Sequence, residues 1–237
     1  MKTIDAVLNE LKKAARPDQL SGMAKFGMAI ENRLGVSVPE MRRIARVVGK
    51  NHDLALELWK TGIAEAQMVA SMIADPKQLT SEQMDTWVSD FNSWDVCDQV
   101  CMNLFDKSPL AWEKVLEWSS REEEFVKRAA YALIACLAWH DKVAEDKKFI
   151  RLLPLIHNSV CDDRNYVKKA VSWALRHIGK RNEKLHPIVL KEAEKLKKNE
   201  NKTTRWIGSD VVRDLTSEST LRKMDKLRSI NSENIKG

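Results

Sequence analysis

Glycine and proline are scarce in this chain, eight and six among 237 residues. So few turn formers exclude a loop-rich or low-complexity chain. No segment alternates β-branched and polar residues with a period of two, which excludes a sheet. The four cysteines, Cys97, Cys101, Cys136 and Cys161, contain no C-x-x-C pair, which removes the strongest zinc and redox signatures. Cys97 and Cys101 lie one helical turn apart, and Cys136 has His140 one turn on. That leaves a weak route to a Cys-Cys-Cys-His site. Small residues on apolar helix faces are the simpler account, so neither metal nor small-molecule cofactor is expected. No apolar run approaches the ~18 residues of a membrane span. The opening MKTIDAVLNELKK turns amphipathic at once, unlike a signal peptide. A soluble cytoplasmic protein with reduced thiols is the expectation, with monomer as the default state.

Hydrophobic residues at 43% and charged residues at 31% suit a folded chain rather than a disordered one. The net charge of +6 hides a division. Residues 80–124 hold eleven Asp/Glu against three Lys/Arg, whereas 162–207 hold thirteen Lys/Arg against six Asp/Glu. A basic segment is the footprint of a polyanion partner, although solvated helix faces often look the same. The acidic middle would then face away from phosphates.

Helical periodicity runs between the few breakers. One helix is expected from Asp5 to Ala15, ended by Pro17, and a second from Leu20 to Leu34, ended by Gly35; Pro39 suits the first turn of a third. Further helices are expected at 51–60, 63–74, 80–91, 93–106, 109–118, 121–140, 147–157, 163–179, 183–198 and 204–215. Phe125-Val-Lys-Arg-Ala-Ala130 returns 41 residues later as Tyr166-Val-Lys-Lys-Ala-Val171, and Ala66-Gln-Met-Val-Ala70 is a fainter copy. A period near forty belongs to paired-helix repeats of the HEAT or armadillo type, which stack because no pair buries its apolar face alone. Aligned repeats would string Lys127-Arg128 and Lys168-Lys169 into one basic track.

Eight tryptophans stand against two tyrosines. Trp59, Trp87, Trp112, Trp118 and Trp139 are assigned to packing. Trp94 and Trp173 differ by their neighbours. Asn92 or Ser93 can cap a helix on which Trp94 and Asp98, four apart, share a face. Asp98 falls at the rim of an apolar stripe made by Val96, Cys97, Val100, Cys101 and Leu104. Two accounts stay open: an ion pair with Arg128 or another cation of the next repeat, or a functional carboxylate. Trp173, between Lys168-Lys169 and Arg176, is either core or an aromatic wall beside a phosphate track.

The ordered set NSWDVCD (92–98), VKRAA (126–130) and KKAVSWALR (168–176), together with MAKF (23–26) and LGVSVPEMRR (34–43), resembles the AlkD-like DNA alkylation repair family, HEAT-like-repeat DNA glycosylases. The resemblance implies an all-α, right-handed α-solenoid of HEAT-like repeats with about twelve to fourteen helices. It would be one domain over 1–237, with a repeat core at about 5–215 and a C-terminal helix or tail at 216–237. It also implies removal of cationic N3- or N7-alkylated purines from duplex DNA. Asp98 would be the catalytic carboxylate, Trp94 and Trp173 the aromatic pair beside the lesion, and Arg128 the arginine at the site. Indole faces attract a cationic base, and a carboxylate stabilises an oxocarbenium-like sugar and holds the attacking water. Phosphates would fall to Lys127, Lys168, Lys169, Arg176 and Arg42 or Arg43. Two positions depart from the best-studied pattern. Phe26 replaces a tyrosine after M-A-R, and Ser37 replaces the glutamine of L-G-I-Q-T-P; both lie on the DNA-contacting side in the family. The alternatives are a non-catalytic relative that binds unusual DNA structures, and a protein-interaction scaffold that uses the acidic 80–124 face.

Overall fold

The computed structural model describes residues 3–234, with side chains to 226. Among the described residues there are fourteen α-helices, two short 3-10 turns and no strand, the all-α class expected. The chain forms two compact units, Met1–Lys114 and Val115–Gly237. The first contains α1 (Ile4–Lys13), α2 (Leu20–Lys25), α3 (Val38–Val48), α4 (His52–Trp59), α5 (Ala64–Ile73), α6 (Ser81–Ser89) and α7 (Trp94–Asn103). Next in sequence comes α8 (Ala111–Ser119). The second unit contains α9 (Glu124–His140), α10 (Asp146–His157), α11 (Asn165–Gly179), α12 (Leu185–Lys197), α13 (Lys202–Leu215) and α14 (Glu218–Asn234).

Side-chain caps set four of the helix starts among the described residues. The Thr3, Asn51 and Asn201 side chains accept the amides of Ala6, Leu54 and Thr204. Thr80 and Gln83 close a capping box on α6. In the N-terminal unit α5 is the central helix and packs against α3, α4 and α7. Trp59 stacks on Trp87 with ring centres 3.9 Å apart, and its indole N–H donates to Asp90 at 2.8 Å. Lys114, with no exposed side-chain surface, donates to both oxygens of Asp85 at 2.8 and 2.7 Å.

One predicted helix is wrong in extent. Helical character expected over 20–34 stops at Lys25, and residues 26–37 form an irregular segment. Gly27 and Asn32 take left-handed backbone angles, φ 76° and 53°. Distant partners satisfy the peptide groups that a longer helix would have paired internally. The consecutive amides of Leu34, Gly35 and Val36 all donate to the Glu65 carboxylate, at 2.9, 2.7 and 3.2 Å. The Arg16 amide donates to the Leu34 carbonyl. Gly35, at φ 80°, passes so close that a Cβ would lie 2.3 Å from the Arg16 carbonyl oxygen.

In the C-terminal unit α9 is buried along most of its length, and α11 packs on it. Phe125 and Tyr166, which occupy equivalent places in the 41-residue repeat, stack with ring centres 5.2 Å apart. The repeat in sequence is thus a repeat in space. Helix α13 packs on both α11 and α12, and Gly208 permits the closest approach. A Cβ there would stand 2.2 Å from the Lys197 amide nitrogen and 2.7 Å from the Ala193 carbonyl oxygen. Gly208→Ala is therefore expected to cost about 3 kcal/mol through overpacking against backbone. For a chain of this size that is roughly 6–12 °C in Tm. An unchanged melting curve would contradict the close packing.

Candidate nucleic-acid interface

The N-terminal unit builds its site at the start of α7. Ser93 holds the cap position with an extended backbone, yet its hydroxyl does not cap the helix. It donates to the Asp95 carboxylate and accepts the Ala29 amide at 3.1 Å. Asp95 in turn takes a two-pronged ion pair from Arg33, at 2.6 and 2.9 Å, and Arg33 Nε donates to the Ala29 carbonyl at 2.7 Å. The Arg33 side chain is 2% exposed. Such a bidentate guanidinium–carboxylate pair fixes orientation as well as position. The irregular 26–37 segment is thereby held against the first turn of α7.

That attachment orients Trp94. Its indole N–H donates to the Phe26 carbonyl at 3.1 Å. Trp94 and Asp98 are both half-buried, while Val96, Cys97, Val100 and Cys101 are fully buried. The two residues therefore share the rim of the helix, one turn apart. The Phe26 side chain itself is 77% exposed, and Ser37 stands exposed at the start of α3. Arg42 is exposed and lines a cavity of ≈ 420 Å³ with Ala45, Arg46, Gly49, Lys50 and Met72. Arg43 is engaged by Glu40 at 2.7 Å and Glu10 at 3.4 Å. Its guanidinium helps hold both carboxyls below their ordinary range, with Lys13 the larger influence on Glu10.

The C-terminal unit sorts its predicted cations into two groups. Arg128 is 5% exposed and donates to the Tyr166 carbonyl at 2.7 Å, joining α9 to α11. Lys127 reaches Asp162 at 3.5 Å. Arg176 lies 3.6 Å from both Asp210 and Asp214 on α13. Those three cations have internal partners. Lys169 is exposed, and Lys168 sits over the Trp206 ring, 5.4 Å from its centre. Trp206 is 40% exposed and continues the Phe125–Tyr166 series after another forty residues. The series is visible in the sequence once the period is extended by one repeat.

Trp173 is half-buried and meets His177 edge to face, 5.7 Å apart at 90°. His177 also meets Trp139 at 6.0 Å, and Trp139 stacks on His140 at 4.7 Å. The assignment of Trp139 to packing is corrected: it is 47% exposed and lines a cavity at the end of α9. Trp59, Trp87 and Trp118 are core, as expected. Burial, reinforced by Lys180 and Arg176, lowers the His177 pKa from 6.5 to about 4. The unfolded chain therefore binds a proton here between about pH 6.5 and 4 that the folded chain refuses. This contribution to stability is complete above pH 6.5 and lost progressively as pH falls towards 4. His177→Asn should flatten the stability profile between pH 6.5 and 5, read by urea unfolding. An identical slope in the variant would rule the histidine out.

Among the described residues no group of three or more His, Cys, Asp or Glu is gathered as a metal site. Cys97, Cys101 and Cys136 are buried and Cys161 is exposed. Arg33 and Asp95 were not singled out in the sequence, and Ser93 only as a helix cap, since their roles depend on partners some sixty residues apart.

The family profile described as DNA alkylation repair enzyme matches residues 7–213. A search of curated proteins finds no match. Among solved structures, one is 22% identical with a TM-score of 0.73, covering 89% of this chain and 94% of its own. It is described as representing a new family of proteins related to the HEAT-like repeat DNA glycosylases, with affinity for branched DNA structures. An engineered protein is 11% identical, with a TM-score of 0.41 over 91% of this chain and 99% of its own. A designed armadillo repeat protein is 13% identical, with a TM-score of 0.34 over 96% and 89%. The first establishes the HEAT-like helical repeat fold, and the profile match over most of the chain settles descent: this chain belongs to the DNA alkylation repair enzyme family.

Proposed function

We propose that this protein is a DNA glycosylase that hydrolyses the N-glycosidic bond of cationic N3- or N7-alkylated purines in duplex DNA. The observation that carries the reading is the shared rim of Trp94 and Asp98 on α7, both partly open to solvent, with the indole locked on the Phe26 carbonyl. An alkylated purine is already a good leaving group, so no general acid is required. The need is for negative charge beside the sugar as it becomes oxocarbenium-like, and for a held water. Asp98 supplies both, and Trp94 offers a π face to the cationic base. Trp173 and Arg128 are further site residues on family resemblance alone; within the C-terminal unit Arg128 holds the Tyr166 carbonyl.

Duplex DNA would be held by Lys168, Lys169 and Arg42, with smaller shares for Lys127, Arg176 and Arg43, whose charges are partly neutralised within the fold. Each phosphate contact steepens the fall of log K with log salt by about 0.9. Lys169→Ala should therefore reduce the slope by about one, and Arg43→Ala should reduce it by clearly less. Equal effects of the two would refute this division of the cations.

The acidic-scaffold reading loses support because Asp85, Asp90 and Asp95 serve Lys114, Trp59 and Arg33. Binding of DNA structures without excision keeps support from Phe26 and Ser37, which lack the family's hydroxyl and amide, and from the branched-DNA affinity of the similar solved protein. Release of 7-methylguanine or 3-methyladenine from methylated DNA by the purified protein decides between the two. Release above the spontaneous rate supports excision. Salt-dependent DNA binding with no release supports the second reading.

A further inference from the structure

A second feature of the C-terminal unit lies outside the predicted track. Helices α9, α11 and α13 end near one another, and α14 begins beside them, around a cavity of ≈ 420 Å³. Its volume falls within the ~300–1,000 Å³ of small-ligand sites. Trp139 forms one wall, backed by His140 and His177.

The cavity's cations are unequal. Arg181 donates to the carbonyls of Ala138 at 3.1 Å and Ala144 at 2.7 Å, so it caps the end of α9. Lys180 is paired with Asp214 at 2.9 Å. Lys142 and Lys223 are exposed, line the same cavity, and have no ion pair among the described residues. Burial first, then the neighbouring charges of Arg181 and Lys223, lower the Lys142 pKa. With His177 neutral near pH 7, the cavity combines an exposed indole with surplus positive charge. An indole face beside two uncommitted ammonium groups suits a flat heteroaromatic ring that carries a phosphate.

We propose that this cavity holds one nucleoside 5′-phosphate unit, its base on Trp139 and its phosphate between Lys142 and Lys223. The unit is either the unpaired end of a DNA strand or a free mononucleotide. Nothing in it depends on chemistry at Asp98, so it goes beyond the excision reading and can fail separately from it.

The test uses the full chain and fluorescein-labelled DNA: a blunt duplex, and the same duplex with a short 5′-phosphorylated overhang. A strand source predicts about tenfold tighter binding of the overhang form, the scale of one stacked base. Trp139→Ala, and separately Lys142→Gln with Lys223→Gln, should erase the preference and leave blunt-duplex affinity within threefold. Asp98→Asn should retain it. A free-nucleotide source predicts no overhang preference but saturable quenching of tryptophan fluorescence by deoxythymidine 5′-phosphate, lost in Trp139→Ala. All three altered residues are exposed or half-exposed, and unchanged circular dichroism confirms folding. The proposal is overturned by the absence of both signals, by signals that survive both variants, or by an equal loss of blunt-duplex binding.

Discussion

Asp98→Asn should lower excision of 7-methylguanine by about 10²–10³-fold, the scale on which single preorganised electrostatic groups act in transition states. DNA affinity should change less than threefold. Asparagine keeps the size and most of the hydrogen-bonding capacity of the side chain but removes its charge. The ground-state complex depends on phosphates and an already cationic base; the transition state adds positive charge at the sugar, where the carboxylate acts. A loss confined to the chemical step is therefore the signature, read in single-turnover release assays with enzyme in excess. Release equal to wild type would remove Asp98 from the mechanism and leave Trp94 as a binding wall only. The experiment is informative because Asp98 lies at a rim rather than in the core: the substitution should leave the fold intact.

The largest effect on stability is expected at Glu65. Its side chain is in α5 and the residue is 1% exposed, and it accepts three consecutive amides of the 26–37 segment. Glu65→Ala would leave three backbone donors without partners, each costing about 1–3 kcal/mol when buried. Allowing for relaxation of the segment towards water, a loss of about 3–5 kcal/mol is expected. The effect should reach the candidate site. Phe26 and Ala29 belong to the same segment and hold Trp94 and Ser93, so the variant should also weaken DNA binding under conditions where it remains folded. Glu65→Gln should recover part of the stability, because its amide oxygen still accepts. Equal melting temperatures for wild type and Glu65→Ala would show that the three-amide clasp contributes nothing.

Helices α3 to α13 were legible because their signals are local. Apolar spacing, Thr80 with Gln83, Pro39 in a first turn and the 41-residue echo of Phe125 in Tyr166 all act within a few turns or one repeat. The same local period put Trp94 and Asp98 on one rim, and the buried set around Cys97 and Val100 agrees with it. The 26–37 segment was misread for the complementary reason. Its residues are compatible with a helix, but Glu65, Ser93 and Trp94 offer its peptide groups better partners from thirty to seventy residues away.

Charge shows the same boundary more sharply. A lysine or arginine contributes one positive charge to any count along the chain, and Lys127, Arg128, Lys168 and Lys169 look alike there. Packing decides that Arg128 is enclosed and holds a carbonyl, that Lys127 meets Asp162, and that Lys169 remains in solvent. Trp139 likewise reads as core from its apolar neighbours, yet it is half-exposed on the wall of the cavity where α9, α11 and α13 end. Helical class, repeat length and the Trp94–Asp98 rim follow from interactions between near neighbours in the chain, which composition and spacing encode directly. Which cations stay free, and which surfaces stay open, follows from contacts across many tens of residues, which exist only once the chain has folded.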